Sequence, residues 1–305
     1  VDNAIKIHQS LLSRSRLPDV QKNQAQLELA KDFIAAGLLD RAEQLLKDLL
    51  ELSEEHQLDA KSLLIDVFEA SRDWDRACEL TESQLEGAKA DDPHQKSAAI
   101  NARAKLTHYC CEAAEDRESA GDLEAARELA ARALNWTGES VWPHIILARL
   151  DQQQDQPRRA YDRLLTAAKM SPERLPEFAA QLITVSETVD RRNELTPLIT
   201  KLLIQREDPQ LRVILADEYR ARGDDAKALE IIKKGLNKKP SSPLLMQALT
   251  LLGEEVATRE VIEGAQNLVS RQSAYLCGMC GFHGPSFYWQ CPGCKSWDTL
   301  HRPVR

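Results

Sequence analysis

Cys277, Cys280, Cys291 and Cys294 form two C-x-x-C pairs, CGMC and CPGC, with ten residues between the pairs. That spacing brings four thiolates to one ion in a tetrahedral sulfur cage, the donor set of one zinc or one iron. With all four positions filled by cysteine, no coordination site is left for a substrate, so the chemistry read here is structural rather than hydrolytic. Gly281 after the first pair and Pro292-Gly293 inside the second permit tight knuckles whose backbone N–H groups can point at sulfur. Lys295 and Arg302 are placed to offset the surplus negative charge of four thiolates on a divalent ion. Tyr288, Trp289 and Trp297 are expected to pack around the site. Metal binding would supply folding free energy on the order of 10 kcal/mol.

Other candidates for chemistry are weaker. His283 and His301 lie near the cage, but four sulfurs already complete it, so they read as packed or exposed side chains. Cys110 and Cys111 are neighbours on a helical stretch and point to different faces, and Cys78 reads as core. Scattered thiols beside a metal-type spacing fit a reducing compartment better than a disulfide scaffold. Lys233, Lys234, Lys238 and Lys239 end a helix, where cations favour its dipole. The stretch EAAEDRE reads as a solvated helix face. There is no phosphate-cradling glycine loop, nucleophile elbow or H-E-x-x-H motif, and no enzyme is expected. A formal net charge of −8 argues against broad nucleic-acid binding. No apolar run long enough for a membrane span and no signal peptide is visible.

The elements that must position the cage are helical. Composition changes near 272–274: six of fifteen aromatics and four of twelve glycines lie beyond it, whereas Ala, Leu, Glu, Arg and Gln dominate before it. One phrase recurs, as AAGLLDRAEQLL at 35–46, SRDWDRACEL at 71–80, SAGDLEAAREL at 119–129, QDQPRRAYDRLL at 154–165 and ARGDDAKALEII at 221–232. Its small residue falls at Ala42, Ala77, Ala126, Ala160 and Ala228, in steps of 35, 49, 34 and 68. A faint copy at 189–203 divides the last step. The step of 49 contains an insertion near 87–105 that lengthens a helix or a loop. Gly37, Gly121 and Gly223 stand where a first helix must stop. Asp40, Asp75, Asp122 and Asp225 are expected to cap the second helices. Leu29, Ala30 and Phe33, then Leu215, Ala216 and Tyr219, form first-helix seams, and Pro172 and Pro240 follow second helices.

A two-helix period near 34 resembles the tetratricopeptide repeat, although the early tryptophan of that signature is absent. The expected fold is an all-α tetratricopeptide-repeat helical solenoid over 1–272, its first repeat truncated at Val1, with a small rubredoxin-like or zinc-ribbon four-cysteine metal-binding module over 273–305. The segments SPLLMQALTLL and ATREVIEGAQNLVSRQ read as a last helix pair. The knuckles resemble rubredoxin, except that Lys295 stands where a second glycine is usual, and they also resemble zinc ribbons ending CPxCxxW.

The combination resembles the lipopolysaccharide assembly protein B family, carried by AIKIHQSLL at 4–12, AAGLLDRAEQLL at 35–46, and above all YLCGMCGF with YWQCPGCKSWDTL. The resemblance implies a non-enzymatic adaptor at the cytoplasmic face of the bacterial inner membrane, held by an N-terminal anchor not in this chain. It implies three partners: the membrane AAA+ protease FtsH, the lipid A pathway deacetylase it degrades, and an inner-membrane regulator of the pathway. It transfers residue by residue only the metal ligands Cys277, Cys280, Cys291 and Cys294, and no partner-binding residue. The rival readings are a rubredoxin-like electron carrier and a generic repeat scaffold whose ribbon binds nucleic acid through Arg271, Lys295, Arg302 and Arg305. No nucleic-acid partner is expected under the leading reading.

Overall fold

A computed structural model describes residues 2–14, 17–52, 56–86, 93–205, 207–253 and 274–302. It divides into two compact units, Val1–Gly138 and Glu139–Arg305. The first holds α1 (Asp2–Leu12), α2 (Asp19–Ala35), α3 (Leu39–Leu52), α4 (Gln57–Ser71), α5 (Trp74–Glu86), α6 (Pro93–Ser119) and α7 (Leu123–Trp136). The second holds α8 (Trp142–Gln153), α9 (Pro157–Met170), α10 (Leu175–Thr188), α11 (Leu195–Gln205), α12 (Pro209–Ala221), α13 (Asp225–Lys238) and α14 (Ser242–Leu252). Three short strands follow: β1 (Tyr275–Cys277), β2 (His283–Gly284) and β3 (Leu300–His301). The fold is thus a tetratricopeptide-type array of helix pairs with a small C-terminal metal-ribbon sheet.

Six turns join α2 to α3, α4 to α5, α6 to α7, α8 to α9, α10 to α11 and α12 to α13, and all six have one geometry. A residue with left-handed backbone sits in each: Gly37 (φ 72°), Arg72 (58°), Gly121 (84°), Asp155 (55°), Asp190 (57°) and Gly223 (78°). Its N–H bonds the carbonyl three residues back, and the next N–H bonds the carbonyl five back, as in Gly121 to Glu118 (3.0 Å) and Asp122 to Arg117 (2.9 Å). This closes the open carbonyls of the first helix and reverses the chain within two residues. The turn at Asp190 lies in the faint copy, so that segment is a repeat in its own right.

Five residues beyond each turn lies Ala42, Ala77, Ala126, Ala160, Leu195 or Ala228, every one fully buried. The alanines let the second helix approach the first without a gap or clash. Leu195 is the exception in size. There a 3-10 turn, Arg192–Glu194, stands where the other second helices make their first α-turn, and the larger side chain fills that place.

The expected aspartate caps need correction. Asp122 does accept from the Ala125 N–H (3.1 Å), but the other side-chain caps of second helices among the described residues are Asp73, from Arg76 N–H (3.2 Å), and Asp224, from Lys227 N–H (3.1 Å). Asp40, Asp75 and Asp225 lie within first turns of their helices, and Asp75 takes an ion pair with Arg117 at 2.8 Å. The cap must be the residue directly after the left-handed one, and paired aspartates hide which of two neighbours that is.

The expected seams are buried at Leu29, Ala30, Phe33, Leu215 and Ala216, with Tyr219 packed half-buried beside them. The insertion emerges as a long α6 of 27 residues, while 87–92 lie outside the described residues. So do the expected helix over 257–272 and residues 272–273 of the expected boundary. Replacing Ala126 by Leu is expected to force α6 and α7 apart and cost about 1–3 kcal/mol, read as a lower midpoint in urea or thermal unfolding.

Candidate metal centre

Two equivalent turns build the cage. In the first, Cys277 N–H bonds Phe282 O (2.9 Å) and Gly281 N–H bonds Cys277 O (3.0 Å). In the second, Cys291 N–H bonds Ser296 O and Lys295 N–H bonds Cys291 O, both at 2.9 Å. Gly281 (φ 73°) and Lys295 (φ 59°) occupy the same left-handed place, so the lysine adopts the backbone that a glycine would relax. Strand β1 lies at the centre of the sheet and pairs antiparallel with β2 (Leu276 opposite His283) and with β3 (Cys277 opposite Leu300).

The four sulfurs lie within 4.8 Å of one another. Cys277 and Cys294 Sγ are 3.7 Å apart, as are Cys280 and Cys291 Sγ. Metal–sulfur bonds of about 2.3 Å in a tetrahedron put sulfurs about 3.8 Å apart, so the donors fit one ion. Both zinc and iron accept such a cage. The close fit extends to the backbone: a Cβ on Gly293 would sit 3.3 Å from Cys280 Sγ, tight enough to disturb the cage. Cys277 and Cys291 are buried and Cys280 is exposed. The Thr299 hydroxyl lies 3.2 Å from Cys277 Sγ and, as the largest influence, brings that thiol down to about 6. Ser296, through its hydroxyl and then its N–H, also lowers Cys294.

The expected aromatic packing is partly corrected. Tyr288 is 45% exposed. Trp289 instead stacks on Trp142 of α8, ring centroids 4.8 Å apart and planes 12° apart, and Trp297 lies 6.4 Å from the same ring. Arg174, just ahead of α10, covers Phe287 (4.7 Å) and Trp289 (5.6 Å) and donates to the carbonyls of Leu300 (3.1 Å) and Asp298 (3.4 Å). Tyr275 donates its hydroxyl to Glu177 of α10 (2.6 Å). Arg302 donates to both Glu177 (3.2 Å) and the Tyr275 oxygen (2.7 Å). Arg302 is therefore engaged with Glu177 rather than placed to neutralise the sulfurs. The module is bound to the N-terminal ends of two first helices of its own repeats by stacking, cation–π contact and a part-buried ion pair.

His283 and His301 are exposed and outside the sulfur group. In the first unit Cys78 and Cys110 face each other, Sγ to Sγ 4.0 Å, both buried. The contact with Cys110, then burial, pushes the Cys78 thiol up, as befits core thiols. Trp142, Arg174, Glu177 and Thr299 were not singled out by sequence reasoning. Only Trp142 gives a local sign, as an aromatic opening a first helix; the other three act through long-range contacts that leave no periodic trace.

Fold and cage together define a class: a helical-repeat protein bearing a rubredoxin-type metal module. Residues 275–302 match the family described as rubredoxin metal binding domain, in its zinc-ribbon form associated with lipopolysaccharide assembly protein B. Over its whole length the chain is similar to lipopolysaccharide assembly protein B. It is 25% identical over 312 residues to that protein of Escherichia coli K12, spanning all of this chain and 77% of the relative. It is 23% identical over 314 residues to that of Haemophilus influenzae, spanning all of this chain and 75% of the relative. A solved tetratricopeptide repeat protein from Parabacteroides merdae is 17% identical, covering 81% of this chain and 98% of that one, with a TM-score of 0.39.

Two substitutions separate ion from docking. Cys291→Ser is expected to abolish stoichiometric binding of one ion per chain by metal analysis and open the module to protease, with helical circular dichroism retained. Trp142→Ala removes a buried aromatic worth about 3–5 kcal/mol; it is expected to leave the ion bound while protease sensitivity of the module rises.

Proposed function

We propose that this protein is a non-enzymatic adaptor in the control of lipopolysaccharide synthesis. One observation carries the reading: the similarity to lipopolysaccharide assembly protein B runs through both the helix pairs and the sulfur cage, over all of this chain. Stacked helix pairs offer extended surfaces suited to holding peptides or domains. A closed four-sulfur cage keeps no ligand position free for turnover.

In its finer form the proposal has the protein hold the lipid A pathway deacetylase near the membrane AAA+ protease FtsH, at the cytoplasmic face of the inner membrane, under restraint by an inner-membrane regulator. Holding two proteins together raises the effective concentration of one at the other and can increase the rate of their encounter by orders of magnitude without catalysis by the adaptor. No described helix is long and apolar enough to cross a membrane. The proposed position at the membrane therefore calls for an anchor outside the described residues or for a membrane-bound partner.

The test is deacetylase turnover in cells depleted of this protein and then supplied with it. Restored protein is expected to shorten the deacetylase half-life several-fold, only while FtsH is active, and to co-purify with at least one of the two. Unchanged half-life on restoration would overturn the adaptor assignment.

A further inference from the structure

We infer that the corner where α13 runs into α14 is a docking surface for a bilayer rich in anionic phospholipid headgroups. It is formed by Lys233, Lys234, Lys238 and Lys239, with Leu245 and Ile204 beside them. All six residues belong to the second compact unit. The inference goes beyond the adaptor reading and does not depend on it.

The positive charge is local. The whole chain carries a formal net charge of −8, yet from Ile231 to Gly253 there are four lysines and no aspartate or glutamate. Helix α14, SPLLMQALTLL, has no charged side chain at all. The dipole of α13 accounts for Lys238 and Lys239 at its C-terminal end, but that influence is confined to the last turn. Lys233 and Lys234 stand a turn earlier and are exposed. The side chains of Lys234 and Lys238 are 64% and 65% exposed, although each has an acidic neighbour, Glu230 at 2.6 Å and Glu207 at 3.4 Å. Glu207 is shared with Arg212, which donates to it at 2.7 Å. Ion pairs of lysines this exposed contribute little, so both ammonium groups are free to meet a stronger anionic surface.

Exposed apolar side chains lie at the same corner. Gly235, in the last turns of α13, packs so closely on α14 that a Cβ there would sit 2.8 Å from Leu244 Cδ1. Leu244 is thereby buried, whereas its neighbour Leu245, in the first turn of α14, is 51% exposed. The pair of Lys238 with Glu207 also brings the end of α13 to the link between α11 and α12. Ile204, three residues before Glu207 at the end of α11, is 82% exposed. Lysines next to exposed aliphatic side chains suit the boundary of a bilayer: the ammonium groups meet phosphates, while the alkyl stems, leucine and isoleucine reach the acyl region. An acidic protein segment would satisfy the lysines alone, and the two aliphatic side chains favour the bilayer. A surface this small orients a body already held near a membrane rather than anchoring it, because stable attachment takes more than one signal.

The experiment is co-sedimentation of the full chain with sucrose-loaded vesicles, either of phosphatidylcholine alone or of equal parts phosphatidylcholine and phosphatidylglycerol. Binding is expected to the mixed vesicles only, and to fall as salt is raised. A lysine near an anionic surface contributes about fivefold to partitioning, so Lys233→Gln combined with Lys234→Gln is expected to weaken binding at least about tenfold. Lys22→Gln combined with Lys47→Gln removes the same charge from exposed positions in the first unit and is expected to leave binding nearly unchanged. Equal losses in the two double variants would make net charge, not the corner, responsible and would overturn the inference. Ile204→Ser combined with Leu245→Ser, at constant charge, is expected to weaken binding several-fold; no loss would overturn the bilayer as the occupant. Retention on immobilised polyglutamate without binding to mixed vesicles would point to an acidic protein segment and overturn it too, as would no binding to either. The adaptor assignment is read separately, by deacetylase half-life, so each can fail without the other.

Discussion

The close approach of two helices at a buried small residue is the contact on which the repeat units are built. A helix pair cannot bury its apolar face alone, so each must meet its neighbours at a fixed distance and angle. Here the approach is set twice over. A left-handed residue reverses the chain in two steps, and five residues later, in five of the six turns, a buried alanine lets the second helix settle on the first. Because turn and contact are locked in register, the spacing of one implies the other. The three non-glycine turns at Arg72, Asp155 and Asp190 keep the same geometry against the steric preference of an L-residue, which shows how strongly packing dictates it.

The metal module extends that logic to a part of the chain too short to have much core of its own. Its buried cluster consists of Tyr275, Cys277, Cys291 and Leu300. Two of these four are cysteines of the cage, so an ion would organise the inside while Trp142, Arg174 and Glu177 organise the outside. The two supports are complementary: coordination orients the knuckles, and the tryptophan stack and the Glu177–Tyr275–Arg302 network orient the module as a body.

Legibility in the sequence followed the range of the interaction. The alanine register, the three glycine turns and the cysteine quartet are local patterns, and each sits in the structure where its spacing places it. The turn at Asp190 was faint because Leu195 replaces the alanine that marks the other repeats. Two caps were displaced by one or two residues because Asp73 with Asp75, and Asp224 with Asp225, offer the same chemistry within two positions of each other. The docking of the module was not legible. Tyr288, Trp289 and Trp297 are equivalent as aromatic residues, and only the position of Trp142 decides that the two tryptophans turn inward while the tyrosine faces solvent.

The bonds that seat the module span 98 residues from Glu177 to Tyr275 and 126 from Arg174 to Leu300. During translation the cysteines and their aromatic neighbours emerge from the ribosome long after α8 and α10. The landing place is thus made first, and the piece that lands on it is made later. Nascent chains interrupted before the cysteines would present Trp142 uncovered, an apolar flag of incompleteness of the kind that chaperones bind.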